Sequence, residues 1–99
     1  MARPKPLKAE DVLKIVSAAL ARGRVYPSRH IRERMRERNF DINDAIQVLE
    51  NAKEASPKWN AKAATWNYDI PGVDIEGESL TVRIAITEDP REIVLVTGF

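Results

Sequence analysis

Leu80-Thr81-Val82-Arg83-Ile84-Ala85-Ile86-Thr87 alternates along its length. With a side-chain period of two, Leu80, Val82, Ile84 and Ile86 fall on one face of a strand and Thr81, Arg83, Ala85 and Thr87 on the other. Working outward, Glu88-Asp89-Pro90-Arg91 has the composition of a tight turn. Ile93 to Val96 is apolar on both faces, which predicts an inner strand. On the other side, Glu76-Gly77-Glu78 predicts a turn. Thr65 to Ile70 alternates again, with Trp66, Tyr68 and Ile70 on one face. Pro71-Gly72 predicts a break or bulge there, with Val73 and Ile75 continuing the strand. Lys53 to Trp59 reads as a weaker strand that Pro57 places at an edge. The short turns predict an antiparallel meander.

The first half of the chain has helical spacing instead. Val12, Leu13, Val16, Ala19 and Leu20 form the buried stripe of a helix from about Ala9 to Ala21. Glu10 and Asp11 suit its N-terminus, and Gly23 ends it as a C-terminal glycine. Arg24 to Tyr26 predicts a short strand or an extended connector. Ser28 is the N-cap of a second helix over 29–38. That helix ends at Asn39, and Phe40 packs back. Asp41, with Asp44 in the first turn, starts a third helix to about Asn51, which Ile42, Ala45, Ile46, Val48 and Leu49 make amphipathic. Helices first and strands afterwards predict an α+β fold, with N-terminal helices packed on one face of a small antiparallel β-sheet. Residues 1–8 read as a flexible arm and residues 9–99 as a single domain.

Length and composition agree with one folded domain: 99 residues, 43% apolar and 31% charged. With no cysteine and a single histidine, neither a disulfide framework nor a structural zinc site is expected. No metal or cofactor is expected. No apolar run suits a membrane span, and the first residues carry no hydrophobic signal region, so the expected location is the cytoplasm. Residues 1–38 carry eleven Lys/Arg against four Asp/Glu, a net of +7, and residues 39–99 carry five against eleven, a net of −6. A basic half fits an anionic partner such as RNA; equally, it balances the acidic half within the fold.

The basic half centres on Ser28 to Phe40, SRHIRERMRERNF, which holds the only histidine. On a helical wheel His30, Arg34 and Arg38 fall at roughly 0°, 40° and 80°, beside Ile31 and Met35 at about 100° and 140°. The apolar pair anchors the helix and holds the His–Arg–Arg row at the rim of whatever it packs on.

From His30 to Ile42 the sequence resembles the signature of the bacterial family catalogued as domain of unknown function 4258. Its elements are the histidine, an Arg34-Met35 pair four residues on, Arg38, and a following helix. The strands Leu80 to Ile86 and Ile93 to Thr97 fit the same pattern, so the resemblance covers roughly residues 28–99. Asn39 stands where the family usually has glycine. Such proteins resemble toxins of the RelE and BrnT type, small α+β ribonucleases encoded beside an antitoxin. The resemblance therefore implies a RelE-like fold, RNA as substrate and an antitoxin protein as partner.

RNA cleavage through the 2′-hydroxyl needs a proton acceptor, a proton donor and a cation at the phosphorus. His30 titrates near neutrality, and arginine forks match phosphate oxygens. The candidate catalytic set is thus His30, Arg34, Arg38 and Arg83. Arg29, Arg32, Arg36 and Tyr68 are the candidate nucleic-acid contacts. The alternative is a non-catalytic nucleic-acid- or protein-binding domain of the same fold, with a continuous basic face from Arg24, Arg29, Arg32 and Arg36. Each residue also has a structural alternative. Arg34 and Arg38 pair with Glu37, Asp41 or Asp44, Trp66 and Tyr68 belong to the core, and Arg83 caps a sheet edge. The sequence leaves the oligomeric state open.

Overall fold

A computed structural model of the chain describes residues 3–89 and 91–99. Pro90 of the expected tight turn, and the first two residues of the expected arm, lie outside the described residues. Three helices, α1 (Ala9–Arg22), α2 (Arg29–Arg38) and α3 (Ile42–Glu50), accompany five strands. These are β1 (Arg24–Pro27), β2 (Ser56–Asn60), β3 (Thr65–Val73), β4 (Ser79–Ile86) and β5 (Glu92–Gly98). The sheet order is β1-β5-β4-β3-β2.

The fold is α+β, with the helices packed against the sheet. The alternation in β4 decides which face they cover. Val82 and Ile84 point inward, and their register partners Ile70, Tyr68 and Leu95 point the same way. Val12, Val16 and Ala19 of α1, Ile31 of α2, and Ala45, Val48 and Leu49 of α3 close onto that face to form the core. Burying side chains of this size contributes about 1.5–3 kcal/mol each for the larger aliphatics. Sheet-forming β5 is an inner strand, as its apolar run predicts.

Two local features differ from the sequence expectation, and a third concerns the expected arm. The sheet is mixed rather than purely antiparallel, because Arg24–Pro27 forms a strand parallel to β5. The connection between them holds two helices and three strands, so it has ample length for a parallel return. Second, β3 runs straight through Pro71 and Gly72. Thr81 exchanges both backbone bonds with Phe99, so the Pro71–Thr81 pair is a non-bonded one and the proline nitrogen faces away from β4. On that side β2 ends opposite Asp69, so no donor is missed. Third, residues 3–7 lie against β2 and β3. Pro4 O accepts from Trp66 Nε1 at 2.6 Å, Leu7 N donates to Tyr68 Oη at 3.0 Å, and the Arg3 guanidinium sits 5.1 Å from the Trp59 ring centre.

The corner between α2 and α3 is built as its residues predict. Asn39 takes the left-handed cap conformation, at φ 55° and ψ 45°. Asp41 accepts from Asn43 N and Asp44 N, while the Asp44 carboxylate accepts from Asp41 N at 2.9 Å, completing a capping box. Its other oxygen accepts from Ile75 N at 3.0 Å. These bonds, first that from Ile75 and then that from Asp41, hold the Asp44 carboxyl below its ordinary value of 3.8. Because the folded state favours the carboxylate, its contribution is present above pH 3.8 and is lost as pH falls through the lower folded value. Asp44→Ala is expected to destabilise by about 0.5–2 kcal/mol at neutral pH. In thermal melts across pH, the gap between wild type and variant should close below that range; a gap constant down to pH 2 would refute the assignment.

Candidate functional site

The site begins where β1 hands over to α2. Ser28 N donates to Leu95 O at 3.0 Å, and Ser28 Oγ donates to Val96 O at 2.8 Å. The same hydroxyl accepts from Ile31 N at 3.1 Å as the cap of α2. One side chain therefore fastens the first turn of α2 to β5. It does so at a bulge: Ile84 pairs with Leu95 and Arg83 with Thr97, which leaves Val96 as the extra residue. Ile31 is fully buried in the core, so its neighbour His30 is directed elsewhere and is exposed.

His30 lines an open groove of about 410 Å³ on the sheet face opposite the helices. Lys58, Asn60, Lys62, Asn67, Arg83 and Thr97 complete its polar lining. The registers Lys58–Asn67 and Arg83–Thr97 put these side chains on one face of neighbouring strands. Asp69 is the register partner of Arg83 and grips it from below, with Oδ1 at 2.6 Å from Nε and Oδ2 at 3.0 Å from Nη2. The guanidinium also lies 5.2 Å from the Phe99 ring centre. The hydrogen bond to Asp69 raises the Arg83 pKa further, so the group is a permanent cation with a fixed orientation. Asp69 is nearly buried and committed to this pair. The groove's remaining titratable groups are His30 and two lysines, so it favours an anion.

Asn67 adds a further polar element. It is 5% exposed, and its Oδ1 has no hydrogen-bond partner. A buried amide oxygen without a partner costs about 1–3 kcal/mol, which marks the floor of the groove as under-satisfied.

Of the residues singled out from sequence, His30 and Arg83 come together in this groove. Arg34 turns back along α2 to Glu37 at 3.3 Å. Arg38 lines a separate hollow with Phe40, Phe99 and the acidic turn Asp74, Glu76 and Glu78. Arg29, Arg32 and Arg36 are exposed on α2 and do not line the groove; Arg29 reaches Glu33 at 3.8 Å. Tyr68 is a core residue on the helix side of the sheet, its hydroxyl taken by Leu7 N.

Sequence reasoning missed Lys58, Asn60, Lys62, Asn67 and Thr97. The signal was present for one of them: Asn67 alternates with Trp66 and Tyr68, and so belongs to the polar face of β3 just as Arg83 belongs to that of β4. A larger hollow, about 660 Å³ between the end of α3 and the open edge of β3, is lined by Gln47, Asn51, Lys53, Glu54 and Pro71 to Val73, and none of the residues singled out from sequence lines it.

Among the described residues, no three His, Cys, Asp or Glu side chains gather to hold a metal ion, and no helix is long and apolar enough to cross a membrane. Neither the curated proteins nor the solved structures yield a match to this chain. Residues 28–97 do match a family, described as Domain of unknown function (DUF4258), and the matched span runs from the cap of α2 through every side chain that lines the groove. The chain belongs to that family.

Proposed function

We propose that the groove takes a phosphodiester of RNA, and that the protein is a metal-independent endoribonuclease of the RelE-like toxin type, restrained by an antitoxin protein that covers the groove. The observation that carries this reading is the meeting of His30 and Arg83 with Lys58 and Lys62 in one groove. The Arg83 fork, held by Asp69, offers its remaining N–H groups to the non-bridging oxygens. His30 accepts the proton of the 2′-hydroxyl as the 2′-oxygen bonds to phosphorus. The bond from phosphorus to the 5′-oxygen breaks, and an ammonium of Lys58 or Lys62, or a water in the groove, returns a proton to that oxygen. The products are a 2′,3′-cyclic phosphate and a 5′-hydroxyl end. The positive end of the α2 dipole lies beside His30 and favours the same anion.

Incubation of a labelled RNA with the purified protein in chelator, with and without ribosomes, tests this. Cyclic phosphate ends are expected. A second reading, a binding domain without catalysis, draws on the exposed Arg29, Arg32 and Arg36 outside the groove. Salt-sensitive RNA binding with no cleavage under any condition would favour it and end the ribonuclease reading.

A further inference from the structure

The open face continues beyond the groove. The strand registers place Lys58, Asn67, Ala85, Val94 and Tyr26 in one row that crosses all five strands. Tyr26 ends that row. Its neighbour Val25 packs against the core, so Tyr26 faces away from the helices, and it is 41% exposed. A lone exposed tyrosine is ordinary. This one shares its face with the groove, and an arginine stands beside it: Arg24 Nη1 donates to Tyr26 Oη at 3.3 Å. Between Tyr26 and Asn67 lie only Val94 and Ala85, a low apolar floor spanning about 14 Å at the usual ~4.8 Å strand spacing.

Charge selects the occupant. The cations His30 (when protonated), Arg24, Lys58, Lys62 and Arg83 border this face. The acids that share their rows, Asp69 and Glu92, are each paired, with Arg83 and Arg24 respectively. We infer that single-stranded nucleic acid lies across the open sheet face, with a phosphate in the groove and the base of a neighbouring nucleotide stacked on Tyr26. Stacking on an aromatic face with a cation alongside is tolerant of base identity, so Tyr26 contributes affinity and register rather than sequence choice. A duplex would hide its base faces and so gain nothing from Tyr26. The inference rests on the phosphodiester reading of the groove.

Binding of a short labelled single-stranded DNA of mixed sequence, followed by fluorescence anisotropy at one fixed salt, tests it without cleavage, since that probe has no 2′-hydroxyl. Tyr26→Phe keeps the ring and should bind as wild type. Tyr26→Val keeps a strand-forming residue and should weaken binding by about 5- to 150-fold. Tyr26→Thr serves if the valine variant loses its circular dichroism spectrum. The matching duplex should bind more weakly than the single strand. If Tyr26→Val binds as wild type while Lys58→Ala binds more weakly, stacking is wrong and the phosphate reading survives. Equal losses in Tyr26→Phe and Tyr26→Val would move the role to the hydroxyl and Arg24, and overturn stacking as well. No binding by the wild type would overturn both and leave the face to a protein partner.

Discussion

Replacing His30 by alanine should lower RNA cleavage by about 10²–10⁴-fold while the fold stays intact. The fold is safe because α2 is held by its neighbours: Ser28 caps the helix and bonds to β5, and Ile31 fills the core. The exposed imidazole carries neither duty. Arg83 requires a different variant. Arg83→Ala would leave the nearly buried Asp69 carboxylate alone, a loss of about 3–5 kcal/mol by the usual behaviour of broken buried pairs, somewhat less here because Arg83 is one-third exposed. Arg83→Lys keeps the charge and loses the two-point grip on Asp69. It is expected to weaken both RNA binding and cleavage, whereas His30→Ala should weaken cleavage with little change in binding. Full cleavage by His30→Ala in chelator would remove the histidine from the chemistry, and with it the ribonuclease reading of the groove.

Gly23→Ala should have a large effect on stability for so small a substitution. A Cβ at this position would be driven into the Arg91 carbonyl oxygen, 2.8 Å from its carbonyl carbon and 3.0 Å from Ala19 Cα. All three are backbone atoms, so no side chain can swing aside. The oxygen is also fixed in place, since Arg24 N donates to it at 3.0 Å to begin the β1–β5 seam. Overpacking of a core typically costs about 1–3 kcal/mol, and a clash between two backbones belongs at or beyond the upper end. A loss of about 3 kcal/mol lowers the melting temperature of a domain this size by roughly 12–24 °C. A shift of only a few degrees would show that the seam opens cheaply.

Gly23 also illustrates what sequence makes legible. At the end of α1 it reads as a C-terminal glycine, yet its φ is −107°, which requires no glycine. Close approach of β5's flank requires it, and a contact between residues far apart in sequence leaves no local trace. Elements whose signals are local were readable: Ser28 and Asp41 as caps, Asn39 as the left-handed stop, and the alternation in β4. The parallel pairing of β1 was not, because four residues ending in proline have no pattern of their own. The site was half readable for a related reason. His30, Arg34 and Arg38 do form a row on α2, but each residue advances about 1.5 Å along the axis, so Arg38 lies ~12 Å from His30. The groove reaches only the first turn. Its other walls come from polar side chains on sheet strands, which a period-two reading assigns to solvent.

The Ser28 clasp sets an order of events during synthesis. Its carbonyl partner on β5 lies 68 residues further along the chain. The β2–β3–β4 meander is made of neighbours in sequence and can assemble while translation proceeds. The His30 wall has nothing to be fastened to until β5 emerges. Closing so long a loop is costly in chain entropy and comes late in folding. A chain without β5 would lack the carbonyl to which Ser28 is fastened, and α2 would lack the strand it packs against. His30 would then join Lys58, Lys62 and Arg83 only when β5 enters the sheet, so the groove is completed by the last strand of the sheet to be made and not by the synthesis of the histidine.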